Sequence, residues 1–343
     1  MRQALVSVIV VNWNGMKTIR RCLDSLLAQD YPNLEIIIVD NNSTDGSQDK
    51  VIAQYGGKVR MVENSKNEGF AGGNNSGIRI AQGEYIALLN NDAYAAPGWV
   101  SALARAMEKD SRTGMCASKI YLDEKEKILD NTGLMIYPDG LGFARGRLEK
   151  DAGQFDQEEE ILLPSGCAAL YRKKMLDEAG LFDERFFAYC EDTDIGLRAR
   201  WMGWKCVYVP TAVVVHAFSG TAGSASKLKG FLVERNRGWV AVKNFPFLYL
   251  MRTPGNTLKR LKAQARAMAS GNGLGAEFLK KHSWATGFFV LLKADISMLA
   301  GLPAAWKSRR EILKTKKISR KEMSALLKKY QVSSDQIVLG KKG

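Results

Sequence analysis

The chain has little with which to build a covalent or metal-held scaffold. Five cysteines are scattered through 343 residues (Cys22, Cys116, Cys167, Cys190 and Cys206), an odd number with no two at metal-finger spacing. That pattern argues against a disulfide framework and a structural zinc site, and it fits a reduced compartment. Long apolar runs are missing too. The run over residues 6–11 is too short for the core of a signal peptide and lacks a cleavage pattern. The most apolar stretch of the tail, 284–306, is broken by Lys293 and Asp295, which makes it a poor membrane span. No internal repeat is present. These absences predict a cytoplasmic protein, peripheral on the inner face of the cytoplasmic membrane.

Acid is scarce in one place only. Residues 252–343 hold 20 Lys or Arg against 5 Asp or Glu, a net of +15. The other 251 residues hold 30 against 31, a net of −1. The formal charge of +14 therefore belongs to the tail, and whatever needs a basic surface is served by an appended segment. With 46% apolar and 25% charged residues the rest is ordinary globular protein. The division expected is a catalytic domain over 1–250 and a basic α-helical extension over 251–343.

The first 90 residues alternate apolar runs with helical periodicity, the pattern of βαβ units on a mostly parallel sheet, hence an α/β fold. Strands are expected at 6–11, 34–39, 59–62 and 85–89. Helices are expected over 17–29 and 71–81, with another after Pro97 to about residue 107. The second half is less regular, with strands at 115–121, 133–137 and 168–172 and a helix from Asp192 to Gly203. Two strands, 206–209 and 212–215, follow it. From Phe231 the pattern turns helical and basic, with a hinge or loop at Gly271-Asn272-Gly273.

Chemistry-bearing residues fall at the ends of these elements. The run Tyr85-Ile86-Ala87-Leu88-Leu89 stops in Asn90-Asn91-Asp92, which puts two amides and an acid at the ligand-binding edge of an open α/β sheet. A second acidic knot, Glu191-Asp192-Thr193-Asp194, opens a helix, and His216 follows the run 212–215 just before Phe218-Ser219-Gly220-Thr221. One acid on a strand end, paired acids on a helix start and one imidazole suffice for a divalent cation and a general base. The helix dipole is expected to favour the ionised form of Asp192. Taken singly, each motif also reads as an ordinary turn or helix cap, and a lone histidine is more often structural than functional.

Asp40 ends the second strand, where its carboxylate can accept from a ligand ring N–H. In Asn41-Asn42-Ser43-Thr44-Asp45-Gly46-Ser47, one of Ser43, Thr44 and Asp45 is expected to cap the next helix. Asn67-Glu68-Gly69-Phe70-Ala71-Gly72-Gly73-Asn74-Asn75 is a glycine-rich helix entry that lets backbone amides approach a phosphate or sugar. It lacks the Lys-Ser/Thr ending of a Walker loop and does not follow the first strand as a dinucleotide fingerprint would. Ser165-Gly166-Cys167-Ala168-Ala169 leaves room for an acceptor, and Phe182–Tyr189 offers aromatics that serve either a sugar floor or the core.

In this order the segments resemble the family 2 glycosyltransferases, most closely bacterial rhamnosyltransferase-like members. The likeness runs from Val6 to about Pro246. It includes Val8-Ile9-Val10-Val11-Asn12-Trp13-Asn14-Gly15, the 39–47, 67–75, 89–92, 182–189 and 191–198 segments, Gly203-Trp204 through Val209-Pro210, and His216. The resemblance implies a GT-A fold, a nucleotide-sugar donor, a divalent metal (Mg2+ or Mn2+) and inversion at the anomeric carbon. It implies that Asp40 contacts the donor base, with Val11, Asn12 and Asn14 around the nucleotide. Asn42, Asn67, Gly69, Asn74, Asn90, Asn91 and Arg198 complete the nucleotide-sugar set. Asp92 and His216 would hold the metal, and Asp192 would be the base, supported by Glu191. The usual Asp-X-Asp triplet reads Asn90-Asn91-Asp92 here, one negative charge fewer. Arg198, Arg200 and Trp201 lie where processive members carry a fuller motif, so single additions are expected.

The donor implied first is dTDP-rhamnose and second a UDP-hexose, with a cell-surface glycan or lipid-linked acceptor. A nucleotidyltransferase would need a basic residue in a glycine-rich loop near the first strand, and Asn12-Trp13-Asn14-Gly15 is not that loop. A degenerate sugar-binding or scaffold protein is the non-enzymatic alternative, suggested by Asn90. The tail reads best as helices on an anionic membrane, presenting Phe288, Phe289, Leu291, Leu292 and Leu299 to lipid. A solvated basic bundle or oligomer contact is second. No nucleic acid is expected, because base-reading and RNA-stacking motifs are absent.

Overall fold

The computed structural model describes residues 3–216, 226–271 and 273–339. The first half follows the expected alternation: β1 (Val6–Asn12), α1 (Ile19–Leu27), β2 (Leu34–Asp40), α2 (Ser47–Tyr55), β3 (Arg60–Glu63), α3 (Gly69–Ile80) and β4 (Tyr85–Leu89). Then come β5 (Ala93–Ala95), α4 (Trp99–Glu108), β6 (Thr113–Asp123), β7 (Ile128–Asn131), β8 (Leu134–Ile136), β9 (Gly142–Ala144), β10 (Glu159–Ile161) and β11 (Ala168–Arg172). The body continues through α5 (Lys173–Ala179), α6 (Glu191–Trp201), β12 (Lys205–His216) and α7 (Lys227–Asn244). The tail is α8 (Phe247–Ala269), α9 (Gly273–Lys281), α10 (Trp284–Ala300), α11 (Leu302–Thr315), α12 (Arg320–Lys329) and α13 (Ser334–Leu339).

The main sheet runs β10-β12-β6-β11-β4-β1-β2-β3, with β5 added to β12 and β7 to β6. Pairing is parallel along β4-β1-β2-β3 and between β6 and β12. β11 lies antiparallel to both β4 and β6, so those two strands share a direction. This is the mixed, mostly parallel sheet expected. Period-two alternation builds its two cores. Val6, Val8 and Val10 face α1 and α4 in one cluster, while Ile9, Ile37 and Leu88 face α3 and α6 in the other.

Three expectations are corrected here. The predicted strands 206–209 and 212–215 are one strand, β12, whose pairing slips between Val209 and Val213. Pro210 sits in that slip, where it has no N–H to give to a ladder. The helix after Asp40 is not capped by a side chain: its N-cap is Gly46, and the Asp45 carboxylate instead accepts from the Ser47 amide at 3.0 Å. The basic helical region begins at Lys227, where the Ser226 hydroxyl accepts from the Lys229 amide. Of the segments read as loops, Phe218–Thr221 and Asn272 lie outside the described residues.

The boundary drawn from charge at 250/251 falls within α8, and residues on both sides of it share one core. Trp201, Trp239 and Phe245 pack with Ala305, Ile312, Met323 and Leu327 of the tail. Arg260, fully buried, pairs with Asp139 at 2.7 Å and Glu234 at 2.8 Å. Among the described residues no single helix is long and apolar enough to cross a membrane; α10 and α11 pass that test only as a pair bent by 53°.

Candidate active site

Strand direction gathers the predicted residues at one edge. The C-terminal ends of β1, β2, β4 and β12 and the start of β11 all lie there, the edge where open α/β sheets bind ligands. Pairing of Ala93 with His216 sets Asp92 beside the histidine. Asp92 Oδ1 and His216 Nε2 are 3.2 Å apart, and the other ring nitrogen, Nδ1, lies 2.9 Å from Asp130 Oδ2. Asp130 reaches it from β7 across β6. Burial works against a charged imidazole, but Cys167, Asp130 and Asp92 outweigh it and hold the His216 pKa far above its ordinary value. Burial would raise Asp130, yet His216 and Arg147 hold its carboxyl below the usual range.

The donor set here suits a hard divalent cation shared with a ligand. One carboxylate and one imidazole converge, and a second carboxylate fixes the far ring nitrogen, as outer partners of metal-bound histidines do. Among the described residues no group of three or more His, Cys, Asp or Glu forms a closed cage. A cation held here would complete its shell with diphosphate oxygens, the usual mode for Mg2+.

Polar side chains on the β1–β2 side bond mainly to one another. Asn12 Nδ2 donates to Asp40 Oδ1 at 3.1 Å and to Ser47 Oγ at 2.8 Å, and its Oδ1 accepts from Asn91 Nδ2 at 3.1 Å. Asp40 Oδ2 accepts from the Ser43 amide at 2.8 Å. Asn14, with φ of 52°, accepts from the Thr44 amide, while Asn42, with φ of 62°, is exposed. Gly15 is required by close approach: a Cβ there would sit 2.2 Å from Asn12 Oδ1. Val11, partly buried, lies against Gly73 of α3. Asn67 accepts from the Gly69 amide and Asn74 donates to the Phe70 carbonyl, so both hold the entry of α3. The Asn90 amide donates to the Cys167 carbonyl at 2.9 Å.

That last bond ties the strand end before Asp92 to the loop that holds Asp192. The neighbouring Gly166 amide donates to Asp192 Oδ2 at 3.1 Å, so consecutive residues of one loop hold Asn90 and Asp192. Asp192 Oδ1 accepts from the Thr193 amide at 2.6 Å. Contrary to the dipole expectation, burial outweighs these amides and raises the Asp192 pKa. A carboxylate raised towards neutrality is a stronger base. Glu191 is deeply buried with Oε2 lacking a partner, and burial, then Asp192, pushes its pKa well up.

Asp194, two residues on, has the opposite surroundings. It is fully buried, and Lys243 at 2.7 Å, Arg198 at 2.9 Å and Asn244 at 2.9 Å surround its carboxylate. Burial alone would raise its pKa, but Lys243 and Arg198 lower it. Arg198, expected in the nucleotide-sugar set, is buried, and its guanidinium donates to Asp194 and to the carbonyls of Ala179, Gly180 and Leu181.

Backbone strain is concentrated just before the acids. Phe187, with φ of 65° and ψ of −65°, forms a γ-turn in which the Ala188 amide donates to the Phe186 carbonyl at 2.8 Å. Tyr189 and Cys190 follow at φ of 68° and 67°. Such conformations cost about 1–3 kcal/mol each. Sequence reasoning did not find Asp130, which sits on a four-residue strand with no periodicity to betray it. It also missed Asn236, a wholly buried amide among the charges of α7.

Comparison with known proteins agrees with this geometry. The profile described as Glycosyl transferase family 2 matches residues 7–180. An N-acetylglucosaminyl-diphospho-decaprenol L-rhamnosyltransferase of Mycobacterium tuberculosis is 28% identical over 68% of this chain and 86% of its own length. A UDP-Glc:alpha-D-GlcNAc-diphosphoundecaprenol beta-1,3-glucosyltransferase of Escherichia coli is 32% identical over 68% of this chain and 84% of its own. Two solved structures share the fold. GalNAc-T7 with UDP, GalNAc and Mn2+ has a TM-score of 0.59 at 16% identity, over 88% of this chain and 58% of that one. The mannosyltransferase PcManGT from Pyrobaculum calidifontis with GDP-Man and Mn2+ has a TM-score of 0.51 at 19% identity, over 99% and 89%.

Proposed function

This chain belongs to glycosyl transferase family 2, and on that footing we propose that it moves a sugar from a nucleotide diphosphate to a hydroxyl of a lipid-linked acceptor, with inversion. The observation that carries the reading is the meeting of Asp92 with His216 at 3.2 Å, together with consecutive loop residues of which Cys167 holds Asn90 and Gly166 holds Asp192. Asp192 takes the acceptor proton as the hydroxyl attacks, and its raised pKa suits that role. Asp92 and His216 hold a divalent cation, Mg2+ or Mn2+, which when bound neutralises charge on the departing diphosphate. Asn12 and Asp40 shape the nucleotide end of the cleft.

The donor proposed first is dTDP-rhamnose, in keeping with the mycobacterial relative's name. UDP-glucose is a specific second reading, favoured by the more identical Escherichia coli relative. The test is a donor panel with N-acetylglucosaminyl-diphospho-undecaprenol as acceptor, read by nucleoside diphosphate release with and without Mn2+. Turnover of one donor that needs the cation is expected. No release from any donor, with metal-independent glycan binding instead, would replace the transferase with a scaffold.

The same reading places the tail on an anionic membrane at the inner face. Trp284, Phe288, Phe289, Ile296 and Leu299 of α10 are exposed on a segment with a net charge of +15 over 252–343. Both named relatives act on polyprenol-linked sugars. Because Met323 and Leu327 belong to the core, substitution is a cleaner test than truncation. Phosphatidylglycerol vesicles should pellet the chain, less so in high salt, and Phe288→Ser with Phe289→Ser should abolish it. Equal pelleting with phosphatidylcholine would remove the electrostatic part.

A further inference from the structure

Within residues 185–189 the strained backbone satisfies the Phe186 carbonyl from inside the loop, through the Ala188 amide, and every carbonyl of the run has a donor from outside it. Asn236 Nδ2 donates to the carbonyls of Phe186 at 3.0 Å, Ala188 at 2.9 Å and Tyr189 at 2.7 Å. Arg235 Nη2 donates to those of Arg185 at 3.1 Å and Phe186 at 3.0 Å. The remaining carbonyl, of Phe187, accepts from the Ala71 amide in the first turn of α3 at 3.1 Å. Gly69 at φ of 70° makes that approach possible, since a Cβ on it would lie 2.3 Å from the Phe187 oxygen.

Two features suggest that this arrangement does more than fill hydrogen bonds. Arg235 Nε donates to Asn236 Oδ1 at 2.8 Å, which fixes which way the amide faces and aims both its N–H groups at the loop. The conformations being held, a γ-turn at Phe187 and left-handed Tyr189 and Cys190, relax unless their surroundings over-determine them. Cys190 is the residue from which α6, with Glu191 and Asp192, departs. One turn further along the same face of α7, Trp239 packs its ring against Phe186 of the loop and its Nε1 donates to the Met298 carbonyl of α10 at 3.0 Å.

We infer that Arg235 and Asn236 are positioning residues for transfer: α7 clamps the strained 185–190 loop and thereby sets where the Asp192 carboxylate meets the acceptor. This rests on Asp192 as the base. Neither residue touches substrate, and both act through the carbonyls of the loop.

The test combines amide exchange with kinetics on the full chain. In Asn236→Ala, exchange of the amides of 187–192 should accelerate at least tenfold, while those of β1, β2 and β4 stay as in the wild type. Turnover of dTDP-rhamnose or UDP-glucose with an N-acetylglucosaminyl-diphospholipid should fall about 100-fold, the usual scale for a catalytic group misplaced by an ångström. Affinity for dTDP or UDP with Mn2+ should change less than threefold. On an Asp192→Asn background the same substitution should cost less than threefold further, because a residue acting through Asp192 has nothing left to position. Arg235→Ala, which removes the outer pair of bonds and the bond that orients the Asn236 amide but leaves that amide in place, should shift every readout the same way by less and serves if Asn236→Ala does not fold. Unchanged protection of 187–192, or the full rate penalty on the Asp192→Asn background, would overturn the inference. Wild-type turnover by Asp192→Asn alone would instead fell the base assignment, and the positioning role with it.

Discussion

Around the ends of β1 and β2 the polar groups are short, neutral or singly charged, and bond among themselves: Asn12 alone joins Asp40, Ser43, Ser47 and Asn91. Around the start of α6 the groups are acids, and three within four residues have three different surroundings. Asp194 is buried and paired with two cations, Glu191 is buried with an oxygen unpartnered, and Asp192 is half-buried and held by backbone amides. The β1–β2 end, proposed for the donor, is thus preorganised by mutual bonding, whereas the α6 end, proposed for the base, holds carboxylates whose charge is opposed by burial and a backbone that needs outside support. Proximity in sequence does not make the acids equivalent. What each can do follows from what its oxygens meet.

Two substitutions, one in that knot and one in the lysine that pairs with it, sharpen the contrast most. Asp192→Asn should cut transfer by roughly 10²- to 10⁴-fold, the usual worth of one positioned base, with the melting temperature unchanged or raised. Wild-type turnover would end its assignment. Lys243→Met should do the reverse of a catalytic lesion. It leaves Asp183 and Asp194 without a shared buried cation, and breaking such a pair costs about 3–5 kcal/mol. An exposed pair such as Arg20 with Asp24 contributes about 0–1 kcal/mol, so Arg20→Met in the same urea titration is the control. Equal losses from the two would mean that the buried network carries no special weight.

Much of the donor half was legible because its signals are local. Near-continuous apolar runs at 6–11, 34–39 and 85–89, as strands buried on both faces have, mark strands whose ends place Asn12, Asp40 and Asp92, and the predicted 85–89 and 168–172 coincide with β4 and β11. The meeting of Asp92 and His216 was legible only as an ordered motif, since β5, which aligns them, is three residues long. Short strands such as β5 and β10 owe their existence to a partner far along the chain, β12, and these and the four-residue β7 leave no period in the sequence. Asp130 was lost with β7. Arg198 reads from the sequence as a charged residue near the acidic knot, and its bonds to three carbonyls of a turn are not visible there. Asn236 was hidden in a helix read by its charge, where a buried amide is detectable only once the loop it serves is known.

A smaller effect extends the comparison to the metal side. Asp130 touches no predicted ligand position except through His216 Nδ1, so Asp130→Asn should weaken Mn2+ by about 10- to 100-fold while leaving metal-free nucleotide binding alone. Manganese paramagnetic resonance titration, with and without dTDP, reads the two separately. An unaltered Mn2+ affinity would show that the imidazole needs no outside partner, and the metal side would then resemble the self-bonded donor end.

The smallest expected effect concerns stability alone. Burial, reinforced by Asp192, raises the pKa of Glu191 well above its ordinary value near 4.5, so the folded chain binds a proton that the unfolded chain has released. Where the unfolded state holds fewer protons, stability falls as pH rises. The cost begins near the unfolded pKa, grows until the folded pKa is passed and is constant above it. Glutamine carries no such penalty. Glu191→Gln should therefore raise the melting temperature by about 2 °C or more at pH 8, a shift of the size expected from about 1 kcal/mol, and the gain should shrink towards pH 4.5. Transfer should fall in the same variant if Glu191 supports the base, which would make this position one where the fold is less stable than it could be for the sake of the reaction. A gain that persisted undiminished at low pH would trace to packing, and the unpartnered oxygen would lose its electrostatic meaning.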